Sequence, residues 1–279
     1  MTARVRGKRR WTRRVAVALI LAPLPLAYAD PWVPPAGTGA LDFAIRQFDA
    51  TRAFLPDQYG TSTLPASELR YTMLRITGEH GLGHRLSIEY DLRAARVEKI
   101  RIRHGRRVAE DSQGVEDQEV GLNIGLTQGR AFADSLTLNV VAATGAAHGT
   151  PALGTGHTAV EPDFQAGYAA RRWRVSLRTG PRVFVDGGAA QMRAELDADV
   201  RLSSRIELGG VLFYVRTLAM RHPLPLADSA ERYDLLRPGL RLKYRVSRHF
   251  KPFIEYERDV AGQAIHAGRR ITVGVAYAY

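Results

Sequence analysis

The chain ends in Ile271-Thr272-Val273-Gly274-Val275-Ala276-Tyr277-Ala278-Tyr279, and the last aromatic is the C-terminus of the sequence. Ile271, Val273, Val275, Tyr277 and Tyr279 fall on one face of an extended strand. Thr272, Gly274, Ala276 and Ala278 fall on the other. Successive side chains on a strand point to opposite sides. A soluble edge strand would not carry a wholly apolar, aromatic-ended face at a terminus. A strand closing a membrane barrel would, because one of its faces meets lipid and the other a polar lumen. Working outward from this segment, the sequence predicts an all-β protein: a closed antiparallel transmembrane β-barrel.

The opposite end points to export. Met1–Arg14 contains Arg4, Arg6, Lys8, Arg9, Arg10, Arg13 and Arg14 and no acid; an apolar stretch starting at Val15 and the small-residue site Ala27-Tyr28-Ala29 follow. That is the charged, apolar and cleavage pattern of a signal peptide. Pro23 and Pro25 interrupt the apolar stretch, which falls short of the ~20 residues of a membrane helix. The division expected is a cleaved leader over 1–29 and a barrel domain over 30–279. The whole chain carries +12; without the seven leader bases, 33 of 40 Lys and Arg remain against 28 acids, a net of +5. With no basic helix or stripe, nucleic acid is not an expected partner. The chain has no cysteine, which excludes disulfide staples and thiol chemistry.

Alternation recurs throughout. Five runs are clear: Leu86–Ala94, Val120–Leu126, Leu136–Val140, Met192–Val200 and Pro238–Val246. Leu41–Phe48, Leu69–Thr77, Phe164–Ala169, Trp173–Thr179, Ile206–Val215 and Pro252–Glu257 are weaker, and Ile271–Tyr279 brings the expected count to about 12 strands. Helical periodicity would mix the two residue classes in each run. In Leu69–Thr77, Arg75 interrupts an apolar face formed by Tyr71 and Met73, and a bulge or register change is expected there. Short links near Gly81–Arg85, Gln128–Asp134, Arg171–Arg172, Ser203–Arg205 and Arg248–Lys251 alternate with long ones near Ala50–Ser67, Ala95–Asp117, Thr144–Pro162, Gly180–Ala189, Thr217–Glu231 and Arg258–Gly268. Tight periplasmic turns and long outer loops produce that alternation; Greek-key sandwiches do not.

The stretch TVGVAYAY, with Gly274, Tyr277 and Tyr279, resembles the C-terminal signal strand of Gram-negative outer-membrane β-barrels. The resemblance implies residence in the outer membrane, contact with its lipid and lipopolysaccharide, and recognition of that strand by the barrel assembly machinery. The hairpin GEHGLGHRLSIEYDL (Gly78–Leu92) is similar to turns of the outer-membrane transporters grouped as the MetA-pathway of phenol degradation family. Its Gly81 and Gly83 would serve any tight hairpin.

If the apolar faces meet lipid, the other faces define a lumen. The candidate lining residues are Glu89, Asp91, Arg93, Arg174, Arg178, Arg193, Glu195, Asp197, Arg237, Arg241, Lys243, Glu255 and Glu257, with Glu119, Asp199 and Arg245 beside them. Leu196 and Asp197 exemplify adjacent lipid-side and lumen-side positions. One reading is a water-filled passive channel for small polar solutes, in which rows of bases favour anions. The other is a structural or surface-interaction barrel whose acids and bases pair and close the lumen; twelve strands make a narrow barrel. The basic cluster Arg96, Lys99, Arg101, Arg103, His104, Arg106 and Arg107 reads as an outer hairpin with His104-Gly105 at its tip, facing lipopolysaccharide phosphates or simply solvent. No cofactor or metal set is present: His80 and His84 lie four apart on a glycine-rich turn, not a helix. An outer-membrane acyl hydrolase is the third alternative, but neither a G-x-S-x-G elbow nor a His-x-Ser-Asn arrangement occurs. The sequence points to a non-enzyme.

Overall fold

The computed structural model describes residues 31–103, 106–185, 189–220 and 233–279. The leader, the His104-Gly105 tip and most of the 217–231 link therefore lie outside the described residues. The strands are β1 (Gly39–Phe54), β2 (Thr63–Gly81), β3 (Leu86–Arg103), β4 (Arg106–Val115), β5 (Gln118–Gln128), β6 (Phe132–Ala142), β7 (Ala159–Ala169), β8 (Trp173–Phe184), β9 (Ala189–Arg201), β10 (Ile206–Met220), β11 (Asp234–Tyr244), β12 (Phe250–Arg258), β13 (Ala261–Gln263) and β14 (His266–Ala278).

All pairings are antiparallel and follow the chain order, with β3 joined to β5 and β12 to β14, and β14 returns to β1 from Ala40↔Ala278 to Ala53↔His266. The β10–β11 pairing from Ile206↔Tyr244 to Val215↔Leu235 completes the ring. β4 pairs only with β3, as the return arm of a hairpin that rises from the barrel, and the short β13 continues β12 along β11. The wall is therefore a closed up-and-down barrel of twelve staves, one for each strand expected from the sequence. Closure leaves the twelve staves of the wall without an open edge among the described residues, which is what allows a sheet to cross a hydrocarbon layer.

Burial is inverted relative to a soluble protein. Ile45, Leu122, Leu138, Leu240 and Val273 are each about half exposed or more, while Asp91, Asn139, Asp163, Arg241, Lys243 and Glu255 are buried. Water would not tolerate a continuous outer belt of Ile, Leu and Val of this extent. Hydrocarbon requires it.

Two expectations are corrected. The register of β2 against β3 runs without a break from Glu68↔Ile100 to Gly81↔Ser87, so no bulge interrupts Leu69–Thr77. Arg75 is on the inner face and pairs with Asp91, while Leu74 faces outward at 51% exposure. Tyr71 and Met73 therefore share the inner face with Arg75. They are covered from inside, packed with Ala95, Val97 and Leu153. Leu153 belongs to the 143–158 connection, which folds inward and is held by Asp117, whose carboxylate accepts from the Gly145 and Thr155 amides at 3.0 and 2.7 Å. The second correction concerns loop length: Gly180–Ala189 is mostly strand, because β8 runs to Phe184. The 18 residues of β3 span about 59 Å at ~3.3 Å per residue, twice a ~30 Å hydrocarbon core. Part of what reads as outer loop is thus strand that continues above the membrane.

Candidate functional site

The inner face of the barrel carries charge in three groups, each built by strands that set acids beside bases. In the first, around β2, β3, β5 and β7–β9, Arg75 Nη2 lies 2.7 Å from Asp91, which also accepts from Arg93. Arg178 Nε donates to Asp163 at 2.6 Å and its Nη1 lies 3.5 Å from Glu89. Arg182 pairs with Glu161 and, at 2.9 Å, with Glu119; Arg193 pairs with Glu161 at 2.8 Å.

The second group crosses β9–β12. Arg241 donates to Asp197 at 2.5 Å and to Glu255 at 3.3 Å, and Lys243 Nζ lies 2.9 Å from Asp199. β10 stands between β9 and β11, so these pairs must reach across it. Gly209 makes this possible: a Cβ there would stand 2.3 Å from Asp199 Oδ1. The third group, higher on the seam, holds Arg237 with Asp259 at 2.6 Å and Arg270 with Glu257 at 3.6 Å. Lower down, Arg245 pairs with Glu207 at 2.6 Å.

All thirteen candidate lining residues face inward, on β3, β8, β9, β11 and β12. What the sequence did not disclose is their pairing. Arg178, Arg237, Arg241 and Lys243, read as an unbalanced basic face, each have a carboxylate partner. Arg174 lies over the Trp32 ring, 4.5 Å from its centroid. Within the wall these four bases are matched by acids.

Three lumenal features had no signal in the alternation. Phe213 points inward, with the Arg193 and Arg237 guanidinium groups 5.4 and 5.6 Å from its ring centroid. Phe253 is buried at 5% exposure and occupies the space that Gly274 leaves, where a Cβ would stand 2.6 Å from Phe253 Cζ. The third is the segment before β1. Trp32 Nε1 donates to Gly129 O at 2.8 Å, the Val33 amide to Gln128 Oε1 at 2.9 Å, and Gln128 Nε2 to Pro31 O at 2.7 Å. Gly129 is in the β5–β6 turn, so residues 31–35 cross the mouth at the short-turn end. The Pro and Trp residues that precede the first strand are the trace this leaves in the sequence.

Between these groups, in the middle of the barrel, remains a cavity of about 100 Å³, lined among others by Arg75, Glu79, Asp163, Arg193, Glu195 and Phe213. No group of metal-ligating side chains occurs among the described residues. Ser67 Oγ lies 3.3 Å from His266 Nε2 where the β2 and β14 ends meet, away from this cavity. In the basic hairpin, Arg101 lies 3.3 Å from Glu110, Arg96 3.7 Å from Asp111 and Arg107 2.8 Å from Glu68. At the terminal strand, Tyr277 and Tyr279 face outward at 42% and 40% exposure. Tyr279 stacks on His80 with its hydroxyl 2.9 Å from His80 Nδ1, and Tyr277 meets His249.

No protein-family model and no curated protein matches the sequence. Among solved structures the chain is similar to the COG4313 outer membrane channel from Pseudomonas putida F1, at 15% identity and a TM-score of 0.66, over 90% of this chain and 99% of that one. It is similar to the translocator domain of the autotransporter NalP from Neisseria meningitidis, at 12% identity and a TM-score of 0.56, over 88% and 89% of the two chains. The NanC porin matches at 9% identity and a TM-score of 0.54, over 85% and 98%. The likeness is one of fold, and the chain is an outer-membrane-type β-barrel.

Proposed function

We propose that the protein is a narrow passive channel through which small polar solutes cross the outer membrane. The observation that carries this reading is the lumen: acids and bases on nearly every stave surround a polar cavity. Stability does not explain such a filling. Replacing buried ion pairs by well-packed apolar residues is commonly neutral or stabilising by about 1–4 kcal/mol. Charges kept in a lumen are best understood as the wall of a path for water and polar solutes. The outer-membrane lipid and lipopolysaccharide are its surroundings, and the barrel assembly machinery reads its C-terminal strand. The chemistry asked of the lumen is permeation, with no reaction.

A second reading, a structural or surface-interaction barrel, draws on the two inward-folded segments: residues 31–35 at one mouth and the Leu153 loop at the other. Planar-bilayer recording of the refolded chain from Asp30 onward separates the two. Discrete, voltage-proportional current steps are the expected result. A protein that is folded by its heat-dependent gel shift yet gives no steps refutes the channel and leaves the structural barrel.

A further inference from the structure

The charges around the mid-barrel cavity do not balance. Its wall includes seven carboxylates, those of Glu79, Glu89, Asp91, Glu119, Glu161, Asp163 and Glu195, and four guanidinium groups, those of Arg75, Arg93, Arg178 and Arg193. Each of the four is paired with a carboxylate of the same wall. Arg182, just behind it, is paired with Glu119 and Glu161. Two acids are left over. Glu79 is buried at 4% exposure and is satisfied by neutral donors, the Ser87 hydroxyl at 2.6 Å and the Asn123 amide at 3.3 Å. Glu195 differs. Among the described residues no base lies within ion-pair distance of it and no donor within hydrogen-bond distance.

Glu195 is placed for a partner that comes and goes. It stands on β9 opposite Arg178 of β8 and Phe213 of β10. The bases whose fields reach it are turned to other acids, Arg75 to Asp91 at 2.7 Å and Arg178 to Asp163 at 2.6 Å. Phe213, likewise, is taken up by Arg193 and Arg237 at its ring. No ion pair forms between Glu195 and either Arg75 or Arg178. A carboxylate in a confined, partly desolvated cavity is costly without a counter-charge, and it takes up a proton or a cation.

We propose that Glu195 makes the lumen cation-preferring: a monovalent cation passing through the cavity supplies the counter-charge that the wall withholds. This rests on the channel reading and specifies its solute class. One unit charge about 7 Å from the permeation axis raises the local cation concentration about threefold and lowers that of an anion about as much even at the dielectric constant of water, and by more in a narrower field.

The test is the reversal potential of the refolded protein in a tenfold KCl gradient. The wild type is expected to pass K⁺ about threefold or more over Cl⁻. Glu195→Gln should bring the ratio down about threefold or more with conductance retained, and Glu195→Asp should keep the preference. A non-selective or anion-preferring wild type, or an unchanged ratio in Glu195→Gln, overturns the proposal; the second result means that a proton already neutralises the carboxyl. Absence of current refutes the channel reading separately. In that case the thermal midpoint in KCl, against N-methylglucamine chloride at equal ionic strength, reads the same residue. A K⁺-dependent rise that Glu195→Gln abolishes upholds the cation site, and equal midpoints overturn it.

Discussion

Replacing Leu196 by Arg tests the facing of the whole barrel. Leu196 lies in a row with Leu177 of β8 and Leu212 of β10, directly opposite both, and all three face outward. It stands five residues above the end of β9 at Arg201. At about 3.3 Å per residue and a tilt of about 40°, that is ~13 Å along the membrane normal, the middle of a ~25 Å apolar band. An arginine there costs about 2–4 kcal/mol, and its row of leucines offers no partner. With a urea dependence near the upper end of about 1–3 kcal/mol per molar, the midpoint should fall by about 1 M. The control is Ser176→Arg, on the inner face opposite Asp197, where an added guanidinium meets acids and water. Asp197→Arg, the obvious lumen-side control from sequence, is unsuitable because Asp197 is 2.5 Å from Arg241 and the change would oppose two guanidinium groups. Urea unfolding of the three proteins in one detergent or vesicle system decides the matter. Equal midpoints for Leu196→Arg and Ser176→Arg would refute the facing of β9.

Arg241→Gln leaves Asp197 and Glu255 without their shared base in a wall position only 2% exposed, so a loss of about 3–5 kcal/mol is expected; adding Asp197→Asn should restore part of it in the same unfolding assay. Gly209→Val places a Cβ in the path of the Asp199 carboxylate and should separate Asp199 from Lys243; restoration of the midpoint by Asp199→Ser in the valine background would attribute the loss to that clash, and no restoration would refute it. Deleting Tyr279, or changing Tyr277 and Tyr279 to Asp, should prevent insertion, since the closing strand loses its outward aromatic face and its contact with His80; normal outer-membrane levels in fractionated cells would contradict this.

The strands were legible because each has one apolar and one polar face, and a two-residue period survives whatever the neighbours are. All twelve appear at their expected places, from Leu41–Phe48 inside β1 to Ile271–Tyr279 across β14. The one misassigned face, at Tyr71 and Met73, is where alternation stops being informative. There the inner surface is covered by Leu153, so apolar residues are inside as well. Loop lengths were overestimated for a related reason: strands that continue above the bilayer no longer need an apolar outer face.

The sequence alone determined that the chain is a barrel, which residues face its interior, and which end closes the sheet. Those are properties of single strands, written in local periodicity. Only the tertiary structure decided which acid meets which base. That depends on ring closure, on the stagger between strands and on a missing side chain such as that of Gly209, which lets Lys243 and Asp199 meet over an intervening strand. The same long-range arithmetic turned an apparent row of free arginines into a paired wall and left Glu195 over. A charge balance in three dimensions cannot be read from the order of residues, because Coulomb interaction depends on separation in space, and separation along the chain does not set it.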